Sequence, residues 1–346
     1  MKNRLIFGAL LVCTTLMLVA VPALAQHQRI GAVAAPELLI PVGGRDFAMG
    51  GAAIATSQGI EALHWNPAGL GRMTGSAEAM FSSMSWIADI DVVYGAVAGR
   101  FGGFGNFGVS VKALGFGDIQ LTTEDDPENY SQRFYSPSFF TLTGTYSRAL
   151  TDAITVGATV KLISEKIDRV SASGFAFDFG VQYEGLVGLK GMSLGVAVKN
   201  VGPQMQFDGP GLYRMALAAG GNRPQQFYRL EAATFELPAV VEIGLTYKYM
   251  VADNLNLAVS GAFSNNNLYY DEYRGGLELG YTIESVQLYG RGGFASVPQD
   301  ADNIFGASFG AGIGYNLGAV NLMLDYAYRQ VEFFDANQVV SLKFVF

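Results

Sequence analysis

The residues that could carry out acid–base or nucleophilic chemistry are few, and no histidine lies in a segment with strand character. A serine hydrolase pairs its nucleophile with a base, most often a histidine. The chain has two histidines, His27 and His64, and both precede the region of alternating residues. His64 stands beside Trp65 among small residues, where we expect it to be packed or hydrogen-bonded. The sequence therefore predicts no enzyme activity, no cofactor and no catalytic residue.

Two other patterns have the composition of ligand sites. Residues 103–108 show the G-x-G-x-x-G spacing of phosphate-binding loops, but these require a helix to follow, and residues 109–112 read as a strand. We predict a hairpin turn there. The acidic runs at residues 124–128 and 300–302 contain calcium-binding oxygens, but neither has the spacing of an EF-hand loop. We interpret them as solvated outer loops that meet lipopolysaccharide bridged by divalent cations, and no metal site is predicted.

Residues 1–25 are predicted to be a secretory signal peptide. Lys2 and Arg4 precede an apolar core, and residues 23–25 (Ala-Leu-Ala) form a small-x-small cleavage site. The alternative, a membrane anchor, needs about 20 apolar residues, which this core barely supplies. The only cysteine, Cys13, lies in the leader, so a mature chain starting at Gln26 has no disulfide.

The composition indicates a barrel in a bacterial outer membrane. The net charge is −8 without a basic cluster, which argues against nucleic acid as a partner. The chain is 50% apolar and contains 44 Gly, 24 Phe and 17 Tyr. No apolar run after the leader reaches the length of about 18 residues expected of a spanning helix. An exported, aromatic-rich chain without such a helix fits an outer-membrane β-barrel.

From residue 75 to residue 346 the sequence alternates between apolar and polar residues, in segments long enough for tilted spanning strands of about ten residues. Near the C-terminus, for example, Leu342 and Phe344 share one face, while Ser341 and Lys343 share the other. This pattern predicts an all-β fold, a transmembrane antiparallel β-barrel of about fourteen strands. Predicted connections after even-numbered strands are short, and the long ones follow odd-numbered strands, as in barrels with short periplasmic turns and long outer loops.

Residues 26–74 are predicted to plug this barrel. A barrel of about eight strands is filled by side chains, whereas one of about sixteen or more holds a channel, so a barrel of intermediate size leaks unless something fills it. The segment is rich in Gly and Ala, which lets its backbone pack closely against the wall. Predicted inward-facing charges carry both signs, which favours ion-paired anchors for the plug over an ion-selective pore. These charges are Lys112, Lys161, Glu184, Lys199, Glu242, Lys248, Arg291, Asp325, Arg329 and Lys343.

The plug contains two short motifs, Met49-Gly50-Gly51-Ala52 and Trp65-Asn66-Pro67-Ala68-Gly69-Leu70. Together they resemble the N-terminal signature of the PorV/PorQ family of outer-membrane proteins, which is related in fold to the FadL hydrocarbon transporters. The resemblance implies a FadL-like barrel with an N-terminal lumenal hatch, and service to the type IX secretion system. It assigns the hatch motif to Met49, Gly50, Gly51, Trp65, Asn66, Pro67 and Gly69.

The last residues alternate up to a terminal phenylalanine. Phe344 and Phe346 resemble the C-terminal signal that the barrel-assembly machinery of the outer membrane reads. That machinery and the outer-membrane lipid are therefore expected partners.

The long predicted loop at 202–235 mixes apolar residues with the turn Gly209-Pro210-Gly211. Long loops without their own structure are uncommon unless they are functional or disordered. We predict either a lid or a partner surface, or residues that fold over the barrel mouth and seal it. The candidate residues are Met205, Phe207, Leu212, Tyr213, Phe227 and Tyr228.

Two functions remain open from the sequence, with a barrel of purely structural role as a third possibility. One is a PorV-like accessory that binds secreted cargo or a secretion translocon through its outer loops. The other is a FadL-like channel for hydrophobic small molecules. A closed lumen beneath an apolar outer surface at 202–235 favours the accessory, and an apolar pocket between that loop and the hatch favours the channel.

Overall fold

The computed structural model describes residues 33–216, 224–297 and 303–346. The predicted signal peptide, the start of the predicted plug, His27 and the acidic run at 300–302 lie outside these residues. Among the described residues, no helix is long and apolar enough to cross a membrane.

Fourteen antiparallel strands form a closed barrel, as the sequence predicts. They are β1 (Ala77–Ser85), β2 (Asp91–Arg100), β3 (Asn106–Gly115), β6 (Ser138–Ala149), β7 (Ile154–Ile167), β8 (Val170–Glu184), β9 (Met192–Val201), β14 (Val240–Ala252), β15 (Leu255–Asn266), β16 (Glu272–Ile283), β17 (Val286–Ser296), β18 (Phe305–Asn316), β19 (Asn321–Val331) and β20 (Asn337–Val345). Each pairs with the next, and β20 pairs with β1 to close the ring.

Six further strands form three small two-stranded sheets in the loops. These pairs are β4 (Ile119–Gln120) with β5 (Phe134–Tyr135), β10 (Met205–Gln206) with β13 (Thr234–Phe235), and β11 (Tyr213–Ala216) with β12 (Gln226–Arg229). The loop sequence does not alternate over enough residues to predict them.

The two faces of the wall have opposite character. On β8, Phe179 is 54% exposed on the outer face, whereas Asp178 and Gln182 are fully buried on the inner face. A strand alternates its side chains between faces, so polar residues turned inward and aromatic residues turned outward give the arrangement of a barrel in lipid.

One end of the barrel carries short connections and the other carries the long ones. The turn end consists of residues 101–105, 150–153, 185–191, 253–254, 284–285 and 317–320. The loop end includes the two longest connections, 116–137 and 202–239. This alternation is the one that the sequence predicts. The Gly-rich stretch at 103–108 is a turn followed by strand β3, which confirms the predicted hairpin.

Residues 33–76, here called the lumenal segment, run through the inside of the barrel. Val33 pairs with Glu236 at the loop end, and Arg72 Nη2 donates to Ala153 O at the turn end over 2.9 Å. Between these points the chain forms five short helical stretches: Pro36–Leu39, Gly44–Ala48, Gly59–Glu61, Ala62–Trp65 and Pro67–Arg72. Strand β1 follows directly, so the segment is continuous with the wall.

Glycines on the inner wall let the lumenal segment approach the strands closely. A Cβ atom added to Gly195 would lie 2.6 Å from Ala55 Cα, and one added to Gly276 would lie 2.6 Å from Met49 O. Cβ atoms do not tolerate such distances, so a larger residue at either position would force the backbone apart. The segment and the wall are thus packed as one core.

Candidate functional site

Asn66, the centre of the second motif, joins the lumenal segment to the wall through its amide. Its Nδ2 donates to Ile54 O at 3.0 Å within the segment and to Val181 O at 3.3 Å on β8. Its Oδ1 accepts a hydrogen bond from Ala68 N at 3.2 Å. Asn66 therefore caps the helical turn that starts at Pro67, where the missing N–H of proline is not needed. The side chain is fully buried.

The structure brings the two motifs together. Gly50 and Gly51 have φ angles of 64° and 73°, a left-handed turn that glycine adopts readily. A Cβ atom on Gly51 would lie 2.8 Å from Trp65 Cζ3, so the ring covers this turn. Trp65 Nε1 in turn donates to Val42 O at 3.0 Å. At Gly69, a Cβ atom would lie 2.8 Å from the Cβ of Ala62.

Three ion pairs connect the lumenal segment to the wall. Arg45 Nε lies 2.9 Å from Glu278 Oε2 on β16. Arg72 pairs with Glu184 at 2.7 Å, and Lys343 with Glu61 at 3.3 Å. Glu184 and Lys343 were predicted as anchors. Arg45 and Glu278 were missed, although an arginine among the small residues at 43–55 and the inward register of Glu278 could have revealed them.

The other predicted inward charges mostly pair within the wall. Lys161 pairs with Asp178 at 2.7 Å, and Lys199 with Glu242 at 2.8 Å. Arg291 bridges Glu278 and Asp325. The guanidinium of Arg329 stacks on the rings of Phe47, Trp86 and Phe305. A subset of the predicted charges thus pairs with the lumenal segment.

Side chains of the wall donate hydrogen bonds to backbone carbonyl groups of the lumenal segment. Lys112 Nζ donates to Glu37 O at 2.6 Å and to Ile40 O at 3.1 Å. Gln182 Nε2 donates to Ile54 O at 3.0 Å and Ser57 O at 2.8 Å. Buried backbone groups need partners, and here the polar inner face of the barrel supplies them.

Burial shifts the pKa of two titratable groups of the lumenal segment in the direction that favours the neutral form. Burial and the nearby Glu165 carboxyl raise the pKa of Glu37 from 4.5 to about 8. Burial and the charges of Lys112, Lys199 and Lys161 hold the pKa of His64 well below its usual range. His64 packs edge-on against Trp65, with 5.2 Å between the ring centres.

A small cavity lies between the lumenal segment and the wall. Its volume is about 20 Å³, which is room for one or two water molecules. The wall contributes polar side chains to its lining, and the lumenal segment contributes Leu38, Leu63 and His64. Other large side chains of the lumenal segment are tightly packed: Met49, Ile54, Ile60 and Leu70 are each at most 1% exposed.

The predicted loop divides into two parts with different environments. Its loop base, defined as Met205, Phe207, Phe235 and Leu237, packs against Leu38 and neighbouring residues of the lumenal segment and against Ile163, Ala172 and Ala176 of the wall. Met205 is only 2% exposed. The loop base therefore covers the lumen, and Met205 is not available to a partner. Leu212 is half-buried in the short helical turn Pro210–Leu212.

The other part is the distal hairpin, defined as β11 and β12, in which every residue is exposed. Tyr213 is 48% exposed, Met215 57%, Phe227 73% and Tyr228 40%. Met215 lies opposite Phe227, and Tyr213 opposite Arg229. Arg229 pairs with Asp208 at 2.7 Å near the base of the hairpin.

In the acidic loop at 116–137, the carboxylate of Asp126 forms hydrogen bonds within the loop itself. Asp126 accepts hydrogen bonds from Tyr130 N at 2.7 Å and Ser131 N at 3.0 Å. These bonds and the Ser131 hydroxyl lower the pKa of Asp126. Among the described residues, no group of three or more His, Cys, Asp or Glu is arranged to hold a metal ion.

Comparison with known proteins identifies the family. Residues 23–217 match the family model of the type IX secretion system protein PorV. The chain belongs to the PorV family. No curated protein matches the chain.

Several solved structures share this fold. The Ralstonia pickettii toluene transporter TbuX is similar with a TM-score of 0.56 and 16% identity, over 88% of this chain and 98% of that one. The Pseudomonas putida toluene transporter TodX gives 0.54 and 12%, over 88% and 97%. A Pseudomonas aeruginosa FadL homologue gives 0.53 and 12%, over 89% and 98%. At these identities the likeness shows the fold alone. This PorV-family chain is thus an outer-membrane protein with a FadL-like barrel.

The C-terminus of this PorV-family barrel closes the ring. Phe346 N donates to Ala77 O at 2.9 Å, and Phe346 O accepts from Ser76 N at 2.6 Å. The rings of Phe344 and Phe346 stack with 6.4 Å between their centres. Recognition of these residues by the assembly machinery stays a prediction.

Proposed function

We propose that this PorV-family barrel is an accessory of type IX secretion, which binds secreted proteins or translocon components at its loop end. The observation that supports this most is the distal hairpin, where large apolar side chains stand exposed above a filled lumen. Contiguous exposed apolar surface commonly marks a site of interaction with a partner.

The hairpin has one face that suits a protein partner. Residues directly opposite each other in an antiparallel pair share a face, so the register places Tyr213, Met215, Phe227 and Arg229 together. Tyrosine, phenylalanine, methionine and arginine are the types enriched at protein interfaces. The candidate partner residues are therefore Tyr213 and Phe227 of the predicted set, joined by Met215, with Tyr228 on the opposite face.

The arrangement at the barrel mouth favours this function over a channel for hydrophobic molecules. Such a channel needs an apolar pocket between the loop and the lumenal segment. The loop base instead packs directly on Ala34, Ala35 and Leu38. The cavity of about 20 Å³ beneath them is too small for a hydrocarbon, and two lysines, Lys112 and Lys161, are among its lining residues.

Further partners follow from the proposed location. Outward aromatic residues such as Phe179 would contact outer-membrane lipid. The acidic loops would meet lipopolysaccharide, and Phe344 and Phe346 would be read by the barrel-assembly machinery. In this proposal residues 26–74 act as a hatch that closes the lumen.

The proposal can be tested by affinity purification of the tagged barrel from native outer membranes. The test variant combines Met215→Ser with Phe227→Ser. The control is Phe104→Ser at the turn end, because Phe104 and Phe227 are equally exposed, each at 73%. We expect secreted cargo or translocon subunits to copurify with the wild type and the control, and their recovery to fall severalfold with the test variant.

Two results would contradict the proposal. One is equal recovery of secretion proteins with the test variant and the control. The other is copurification of lipid or another hydrophobic small molecule without any secretion protein, which is the outcome that a channel predicts.

A further inference from the structure

Two rows of polar side chains lie side by side on the inner wall, under the lumenal segment. Tyr94, Lys112 and Thr141 are neighbours in register on β2, β3 and β6. The next row consists of Ser110, Thr143 and Lys161 on β3, β6 and β7. All six line the cavity of about 20 Å³, which Leu38, Leu63 and His64 cover from the lumenal segment.

Two hydroxyl groups that line the cavity lack a well-formed hydrogen bond. Tyr94 Oη and Thr141 Oγ1 are buried and have no partner of good geometry in the described structure. The nearby Ser110 hydroxyl is bonded to Thr143 Oγ1 at 2.6 Å. An ammonium group has three N–H donors, and Lys112 uses two of them for Glu37 O and Ile40 O. A buried hydroxyl or N–H group left unpaired is costly, so these groups call for an acceptor.

One of the two lysines that line the cavity also lacks a counter-charge. Lys161 is neutralised by Asp178 at 2.7 Å. Lys112 bonds only to carbonyl groups and, within the described part of the chain, forms no ion pair. Glu37 contributes its backbone carbonyl, and neither oxygen of its carboxyl bonds to Lys112. A buried ammonium without a counter-charge is unfavourable.

We propose that this cavity binds one small monovalent anion, chloride in the natural setting, between the wall and the lumenal segment. Lys112 Nζ supplies the charge, and Tyr94 Oη and Thr141 Oγ1 donate hydrogen bonds. The volume of about 20 Å³ excludes carboxylate-sized or phosphate-sized ligands. The anion bonds to strands β2, β3 and β6, and it neutralises the Lys112 ammonium that donates to Glu37 O and Ile40 O, which helps to hold the lumenal segment in place. This site does not depend on the proposed role in secretion.

Bromide is the probe for this site, because its anomalous scattering distinguishes it from water. The full barrel is unfolded, refolded in detergent with sodium bromide as the only halide salt, and crystallised. Refolding in bromide removes any barrier to entry past the lumenal segment. We expect a bromine peak in the cavity, and a thermal midpoint that rises with bromide concentration relative to gluconate at equal ionic strength.

The test variant is Tyr94→Phe with Thr141→Val, which removes both hydroxyl donors and keeps Lys112. Bromide affinity should fall by at least about tenfold, since two hydrogen bonds to a charged group are lost. The control is Thr145→Val on the same strand, because Thr145 is equally buried but bonds to Thr159 at 2.8 Å and does not line the cavity. The control should keep the peak.

Water without bromine in the wild-type cavity at high bromide would overturn the proposal. So would a bromine peak that is equally strong in the double variant. If the double variant does not fold, Tyr94→Phe alone is measured, with heat-modified gel mobility as the check of folding; undiminished bromide dependence there would also count against the site.

Discussion

Two arginine–carboxylate pairs of nearly equal length show how differently the lumenal segment and the distal hairpin are built. Arg45 lies 2.9 Å from Glu278 inside the barrel, with side chains 12% and 9% exposed. Arg229 lies 2.7 Å from Asp208 beneath the distal hairpin, with side chains 58% and 54% exposed. The first pair is part of a packed network that fixes the lumenal segment. The second is screened by solvent and leaves its surroundings free to contact something else.

The apolar residues show the same difference. In the lumenal segment, Met49 and Leu63 are at most 1% exposed. In the distal hairpin, Met215 and Phe227 are more than half exposed. Since the family motifs lie in the buried region, we infer that they serve structure, and that binding resides in the loops.

The two regions should differ most in how much the free energy of unfolding falls when an arginine is removed. Arg45→Ala leaves Glu278 with one cationic partner fewer in a buried site, and should lower the free energy of unfolding by about 3 to 5 kcal/mol. Arg229→Ala should lower it by about 0.5 kcal/mol. Urea unfolding from lipid vesicles measures both. Equal losses in the free energy of unfolding for the two variants would contradict the difference between the buried and the exposed ion pair.

A glycine of the inner wall tests how closely the lumenal segment is packed. Gly276→Val places methyl groups against Met49 O, and we expect destabilisation by about 3 kcal/mol or failure to assemble. Gly290→Val is the control, because a Cβ atom there meets nothing within 4 Å. Heat-modified gel mobility of the membrane fraction reports the folded amount. A stable Gly276→Val barrel would show that the segment is only loosely held.

Replacing the motif asparagine, Asn66, should lower stability by a smaller amount and leave binding unchanged. Asn66→Ala removes the cap of the Pro67 turn and the hydrogen bonds that Asn66 Nδ2 donates to Ile54 O and Val181 O, at a cost of about 2 kcal/mol. Binding of secretion proteins by the folded fraction should be unchanged. If Asn66→Ala instead abolished binding in a barrel of normal stability, the motif would have a direct functional role.

The smallest expected effect concerns the loop-end part of the lumenal segment, through Glu37. The pKa of Glu37 is raised from 4.5 to about 8 in the folded protein, so the folded state binds more protons than the unfolded state between these values. Stability should therefore decrease as pH rises from about 4.5 to about 8, and change no further above that. Local release of residues around Pro36–Leu39 limits the size of the effect.

Glu37→Gln should flatten this pH dependence. Protease accessibility of the N-terminal residues, compared at pH 6 and pH 9, provides the measurement. A pH profile that Glu37→Gln does not alter would assign the effect to another group.

The strand count and order were predictable from the sequence, because inward and outward residues alternate strictly. Strands β15 (Leu255–Asn266) and β19 (Asn321–Val331), for example, both lie in the alternating region from residue 75 to residue 346. The regular alternation of short and long connections constrained the number of strands independently of their exact boundaries.

Other features depend on contacts that no local pattern records. Met205 and Phe227 have similar apolar character in one loop, yet Met205 is buried against Leu38 while Phe227 is exposed. Their environments are decided by where the loop folds back on the barrel. The pair between Arg45 and Glu278 joins residues that are 233 positions apart, so only the closed barrel brings them together.

The most direct test asks what touches the distal hairpin in living cells. A photo-crosslinking amino acid is placed at Phe227, and, as the control, at the equally exposed Phe104 of the turn end. We expect crosslinks from position 227 to secreted type IX cargo or translocon subunits, identified by mass spectrometry, and none of these from position 104. Absence of such proteins at position 227 in a correctly inserted barrel, or equal capture at both positions, would contradict binding at the hairpin.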